Sequence, residues 1–210
     1  MSNPPIIFEC IAATKDVIIA LSAVFTASVA YRGLDKWRSE LRGKADFEAA
    51  RDMARSVYKV RDALARARSP LISGGEFPPN YHRDFNRKSD EEEAAALMHV
   101  YSNRWKPVAD ALAELGAETL EAEALWGKVV SDKVVALRVC AFELFGAMED
   151  RVGDVQSGGS RYRNRKLKGD PSRDALNASH DGSNHLDKKI ADAIVGLEDV
   201  LRPHLASGRR

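Results

Sequence analysis

"VVSDKVVALRVCAFELFGAM", residues 129 to 148, places Val130, Val134, Leu137, Ala141, Leu144 and Met148 at alternating steps of four and three. An α-helix turns once every 3.6 residues, so this spacing returns all six side chains to one stripe. A stripe kept in register over so many turns predicts a helix packed against neighbours in an antiparallel bundle. Cys140 falls inside the same apolar pattern and reads as a small core residue.

The segments on either side carry the same period. Upstream, Ser89 precedes Asp90-Glu91-Glu92-Glu93. The Ser89 hydroxyl can accept from the Glu92 amide while Glu92 reaches back, a capping box, and the acidic turn suits the positive end of the helix dipole. Leu97, Tyr101, Val108, Leu112 and Leu115 line one face of that helix. Pro107 lacks an amide donor and predicts a kink, and Gly116 is the expected end, with a short helical stretch over Leu120–Trp126. Further upstream, Leu34, Trp37, Leu41, Phe47, Ala50, Ala54, Val57, Val60 and Leu64 recur at helical steps until Ser69-Pro70. Ser73-Gly74-Gly75 and Pro78-Pro79 then mark a loop.

Downstream, residues 153–184 are rich in Gly, Ser, Asn, Asp and basic side chains and read as a flexible basic insertion. Leu186, Ile190, Ile194, Leu197 and Leu201 restore the helical stripe, which is expected to end near Pro203. The predicted organisation is an amino-terminal segment (1–32), a helical bundle (33–152), the insertion (153–184), and a terminal helix with a polar tail (185–210).

Composition narrows the functional classes. The 210 residues hold 32 Lys plus Arg against 31 Asp plus Glu, a net charge of +1. Any role for charge must therefore be local rather than chain-wide. Cys10 and Cys140 form no CxxC pair or disulfide framework, which fits a reducing compartment. No Ser–His–Asp order, glycine-rich phosphate loop, HExxH or Cys/His metal spacing occurs, so the sequence implies neither a metal nor a cofactor.

Val17 to Tyr31 is a run of fifteen residues without a charge. At 1.5 Å per residue it covers about 22 Å, short of the roughly 30 Å hydrocarbon core of a bilayer. Lys15 and Arg32 can snorkel outward and shorten the gap. Ala20, Ala23, Ala27 and Ala30 suit close helix packing within lipid, hence a homo-oligomer. Arg32, Lys36, Arg38, Arg42 and Lys44 follow the run, opposed only by Asp35 and Glu40, and Trp37 lies near headgroup depth. This bias directs the carboxyl-terminal bulk to the cytoplasm. A cleaved signal would carry its basic residues first. A membrane anchor is the preferred reading, ahead of a buried soluble helix.

Four stretches, "YRGLDKWRSELRGK" (31–44), "VYKVRDAL" (57–64), "NRWKPV" (103–108) and "EAEALWG" (121–127), resemble a family of uncharacterised bacterial proteins. The likeness covers roughly residues 15 to 150, plus "LEDVLRPHL" (197–205). It implies one short membrane helix in the bacterial inner membrane and a helical cytoplasmic body, with membrane lipids as partners and no assigned reaction. The layout is also similar to the membrane accessory proteins of type VI-B CRISPR systems. That likeness implies an oligomeric pore with a degenerate HEPN-like helical domain, and so a defence-associated membrane effector.

HEPN ribonucleases use an Arg and a His with four to six residues between them; "RDALNASH" offers Arg173 and His180 with six between. There His180 would handle the 2′-hydroxyl proton and Arg173 the phosphate charge. The flanking Pro171 and Asp181-Gly182-Ser183-Asn184 argue for a loop, which gives a catalytic pair poor support. Arg161, Arg163, Arg165, Lys166 and Lys168 around Tyr162 form the strongest basic patch. It suits lipid headgroups or a phosphate backbone, with nucleic acid the less favoured partner, and a solvated loop is the plainer reading. Trp105 is expected to pack at the Pro107 kink and Arg104 to pair with an acid across the bundle. Arg61 with Asp62 is expected to form a buried ion pair fixing helix register. Trp37 and Trp126 complete the structural and interaction residues.

Overall fold

A computed structural model of the chain describes residues 6–81, 88–159, 175–179 and 181–207. Among the described residues there are four long helices and no strand: α1 (Ile6–Ala67), α2 (Asp90–Trp126), α3 (Lys128–Gln156) and α4 (His185–Ser207). A 3-10 turn, Gly74–Glu76, lies between α1 and α2. The protein is all-α, a helical bundle preceded by a long apolar helix.

The chain forms two compact units, residues 1–45 and 46–210. In the first, every residue from Ile18 to Arg42 is exposed. By length and composition, the amino-terminal part of α1 can cross a membrane, and none of its most apolar window is buried. Leu34, Trp37 and Leu41 continue the apolar spacing of α1, but they remain 43 %, 57 % and 47 % exposed. Helical period places side chains on a stripe; only a neighbouring element buries it. Within α1 the buried stripe begins at Ala49 and runs through Met53, Val57, Val60 and Leu64 to Ala67.

In the second unit, all six residues of the 130–148 stripe are buried and share one core with α1, α2 and α4. From α2 the core takes Val108, Ala111, Leu115 and Ala122; from α4, Leu186, Ile190, Ile194, Leu197 and Leu201. At about 1.5–3 kcal/mol per buried aliphatic side chain, this stripe packing is the main force holding the helices together. Ser89 caps α2 as its sequence predicts: its Oγ accepts from Glu92 N at 3.2 Å, and Glu92 Oε2 accepts from Ser89 N at 3.1 Å.

Three element ends differ from expectation. Gly116 does not stop α2, which continues unbroken to Trp126. A glycine lowers helix stability by about 1 kcal/mol, an amount that tertiary packing overrides. The Arg138 guanidinium from α3 occupies the space beside it; a Cβ there would sit 2.9 Å from Arg138 Nη2. The turn falls at Gly127, whose φ of 78° is open to glycine at little cost. Helix α3 continues past Gly153 to Gln156, because Val152 and Val155 find cover against Ala94 and Leu97 of α2. Helix α4 continues through Pro203 to Ser207.

Candidate functional site

The strongest concentration of buried polar chemistry surrounds Arg68, one residue past the end of α1. Its side chain is 2 % exposed. The guanidinium donates from Nε to the Ala175 carbonyl at 2.8 Å, from Nη1 to Asp187 Oδ1, and from Nη2 to Asn177 O and Asn184 Oδ1, both at 3.2 Å. The second Asp187 oxygen accepts from the Ser179 amide (2.8 Å) and hydroxyl (2.6 Å). Burial pushes the Asp187 carboxyl up, but the Ser179 hydrogen bonds and the Arg68 charge outweigh it, leaving its pKa below the ordinary aspartate value. Asn184, just before α4, accepts from the Asp187 amide in its first turn at 2.8 Å. The network thus joins the end of α1, the 175–184 segment and the first turn of α4.

Part of the predicted flexible insertion is therefore held in place. Ala175 and Leu176 are buried in the core, and Ala178 N donates to Arg68 O at 2.9 Å. Sequence reasoning missed Arg68, because a lone Arg after a helix reads as a solvated end. The Asn-rich, Asp-bearing composition of 177–187 was the available signal. Arg173, His180 and the patch Arg161, Arg163, Arg165, Lys166 and Lys168 lie outside the described residues.

A second cluster holds the α1–α2 loop. Arg104 donates from Nε to Glu76 Oε2 at 2.5 Å and from Nη2 to Glu76 Oε1 at 3.1 Å. It also donates to the carbonyls of Ser69 (2.6 Å) and Leu71 (2.7 Å). Its acid partner is thus in the loop rather than across the bundle. The planar guanidinium can serve a carboxylate and several carbonyls at once. Arg104 beside it, with backbone and hydroxyl donors from Ser73, overcomes the penalty of burial and lowers the Glu76 pKa from 4.5 to about 2. Trp105 packs against Phe145 of α3, ring centroids 4.8 Å apart.

The third cluster joins α1, α2 and α4. Asp46 accepts from Trp126 Nε1 and, at 2.9 Å, from His204 Nδ1, and the Trp126 and His204 rings stack at 4.1 Å. Arg61 does not form the expected buried pair. It pairs with its neighbour Asp62 at the surface, with side chains 49 % and 51 % exposed, and its guanidinium lies 4.8 Å over the Tyr58 ring. Val60, Ala63 and Leu64 take the buried face of α1 there, which leaves Arg61 and Asp62 on the exposed one, so the pair stays in solvent.

None of these clusters presents an activated nucleophile. In each, the named side chains hydrogen-bond to one another or to backbone carbonyls of the bundle and its loops. The Cys140 thiol is buried in the core and its pKa is raised by that burial. A shallow groove of about 470 Å³ is lined by Arg51, Arg55, Tyr58, Lys59, Asp62 and Leu205, among others. Its cations are matched: Arg55 with Asp52 at 2.8 Å and Lys59 with Glu114 at 2.6 Å. Among the described residues no three His, Cys, Asp or Glu side chains are grouped to hold a metal.

Apolar surface is left open instead. Val135, Val139 and Phe142 are 55 %, 54 % and 61 % exposed, and their spacing of four and three puts them on one face of α3. Fold and clusters together define a class: an all-α bundle whose buried polar groups fix its loops, with an exposed apolar helix at the amino terminus. No family model, curated protein sequence or solved structure matches the chain.

Proposed function

We propose that this chain is a membrane-anchored assembly protein of the bacterial inner membrane. In this reading the first part of α1 spans the bilayer once, and the bundle faces the cytoplasm and works by binding other protein, including further copies of itself. The carrying observation is that every residue from Ile18 to Arg42 is exposed on a helix apolar enough to cross a membrane. Isolated apolar helical surface is costly in water and favourable in lipid. The open Val135–Val139–Phe142 face and the alanines at 20, 23, 27 and 30 support self-association. By its layout the chain fits a defence-associated membrane effector.

Chemical cross-linking of the full chain in native membranes tests the assembly role. Discrete dimers or higher oligomers are expected, and a strictly monomeric product would contradict it. RNA cleavage by the purified chain that is lost in His180→Ala would replace the proposal with a ribonuclease acting through Arg173 and His180.

A further inference from the structure

Residues 31–44 raise a separate question, since they are charged yet keep an apolar stripe that nothing in their unit covers. Tyr31, Leu34, Trp37 and Leu41 recur at steps of three, three and four, so they lie along one side of the helix. They are 75 %, 43 %, 57 % and 47 % exposed. Around this stripe stand five basic side chains and two acids. Lys36 spends its charge on Glu40 at 3.9 Å. Arg32, Arg38 and Arg42 take part in no ion pair among the described residues. Arg38 and Arg42 are four apart and so share a face one turn from each other, where two like charges repel unless an anion lies between them.

We infer that residues 31–44 form an interfacial collar that selects anionic phospholipid headgroups, with Arg32, Arg38 and Arg42 on the phosphates and Tyr31, Leu34 and Trp37 at the acyl boundary. The inference rests on the anchored reading above and deepens it by naming the lipid. Three points on the helix favour lipid over a soluble phosphate. The cations are continuous with an apolar run, so any surface that receives Val17–Tyr31 receives them too. That run is about 8 Å short of a hydrocarbon core, which draws the next turns into the headgroup layer. Trp37 lies about 9 Å beyond Tyr31, and an indole with an apolar body and an N–H donor settles at that depth. Arg42, about 16 Å beyond Tyr31, stays within roughly a Debye length of the outer headgroups. Each basic side chain near an anionic surface strengthens binding about fivefold.

The test uses the full chain reconstituted into vesicles of equal phosphatidylcholine and phosphatidylglycerol, then extracted in mild detergent, with retained phospholipid quantified by mass spectrometry. Phosphatidylglycerol should be retained several-fold over phosphatidylcholine. The combined variant Arg32→Gln, Arg38→Gln, Arg42→Gln should retain the two in their bulk ratio. These side chains are exposed, and an unchanged helical circular dichroism signal verifies folding. A variant with Arg161, Arg163, Arg165, Lys166 and Lys168 all changed to Gln should keep the enrichment. Bulk-ratio retention by the unmodified chain, or enrichment that survives in the triple variant, overturns the inference while leaving the anchor standing. A chain that fails to float with vesicles of either composition overturns the anchor itself.

Discussion

Arg68 and Arg61 are the same residue type seven positions apart, and their environments give them opposite weights. Arg68 is buried against Asp187, so its removal leaves a largely buried carboxylate without its counter-charge. Arg68→Ala should cost about 3–5 kcal/mol in urea-induced unfolding. Arg61→Ala, which breaks an exposed pair, should change stability by less than about 0.5 kcal/mol. Glu76 adds a pH dependence. Its pKa falls from 4.5 to about 2 on folding, so the unfolded chain takes up the proton first as pH drops. The Glu76–Arg104 contribution is therefore complete above pH 4.5 and is lost as pH falls towards 2. Urea midpoints measured across that window should decline more steeply for the unmodified chain than for Glu76→Gln. The lowered Asp187 pKa acts in the same direction.

At the scale of the element, two glycines, one inside α2 and one at its end, should respond differently to alanine. Gly127 has open space around it but a φ of 78° and ψ of −171°, a conformation almost confined to glycine. Gly127→Ala should destabilise by about 1–3 kcal/mol. Gly116 is inside α2, and the atom a Cβ would meet is the flexible end of Arg138. Gly116→Ala should be neutral or raise stability by up to about 1 kcal/mol, read from thermal midpoints. Much of this level was legible in the sequence. The 130–148 stripe and the Ser89–Glu92 capping box depend on residues close in the chain, whose geometry is set by the helix alone. The end of α2 was not legible, because whether a helix passes a glycine depends on what packs beside it. The same holds for Arg68, whose partners are 107 to 119 residues away. Asp46, Trp126 and His204 meet only once three helices are assembled. The buried pair expected at Arg61 failed for the complementary reason: sequence shows the charges and not the direction each side chain takes.

For the whole molecule, the proposed anchor divides apolar surface between two surroundings, the bundle core and the bilayer. Among the described residues the second unit, 46–210, holds the buried core, while the exposed apolar run belongs to the first. A fragment comprising 46–210 should therefore remain in solution and keep its helical circular dichroism signal. The most direct measurement expresses the full chain and this fragment side by side, lyses without detergent, and separates membranes by high-speed centrifugation followed by carbonate extraction. The full chain should stay in the carbonate-washed membrane pellet and the fragment in the supernatant. Full-length protein recovered in the first supernatant would contradict the anchor.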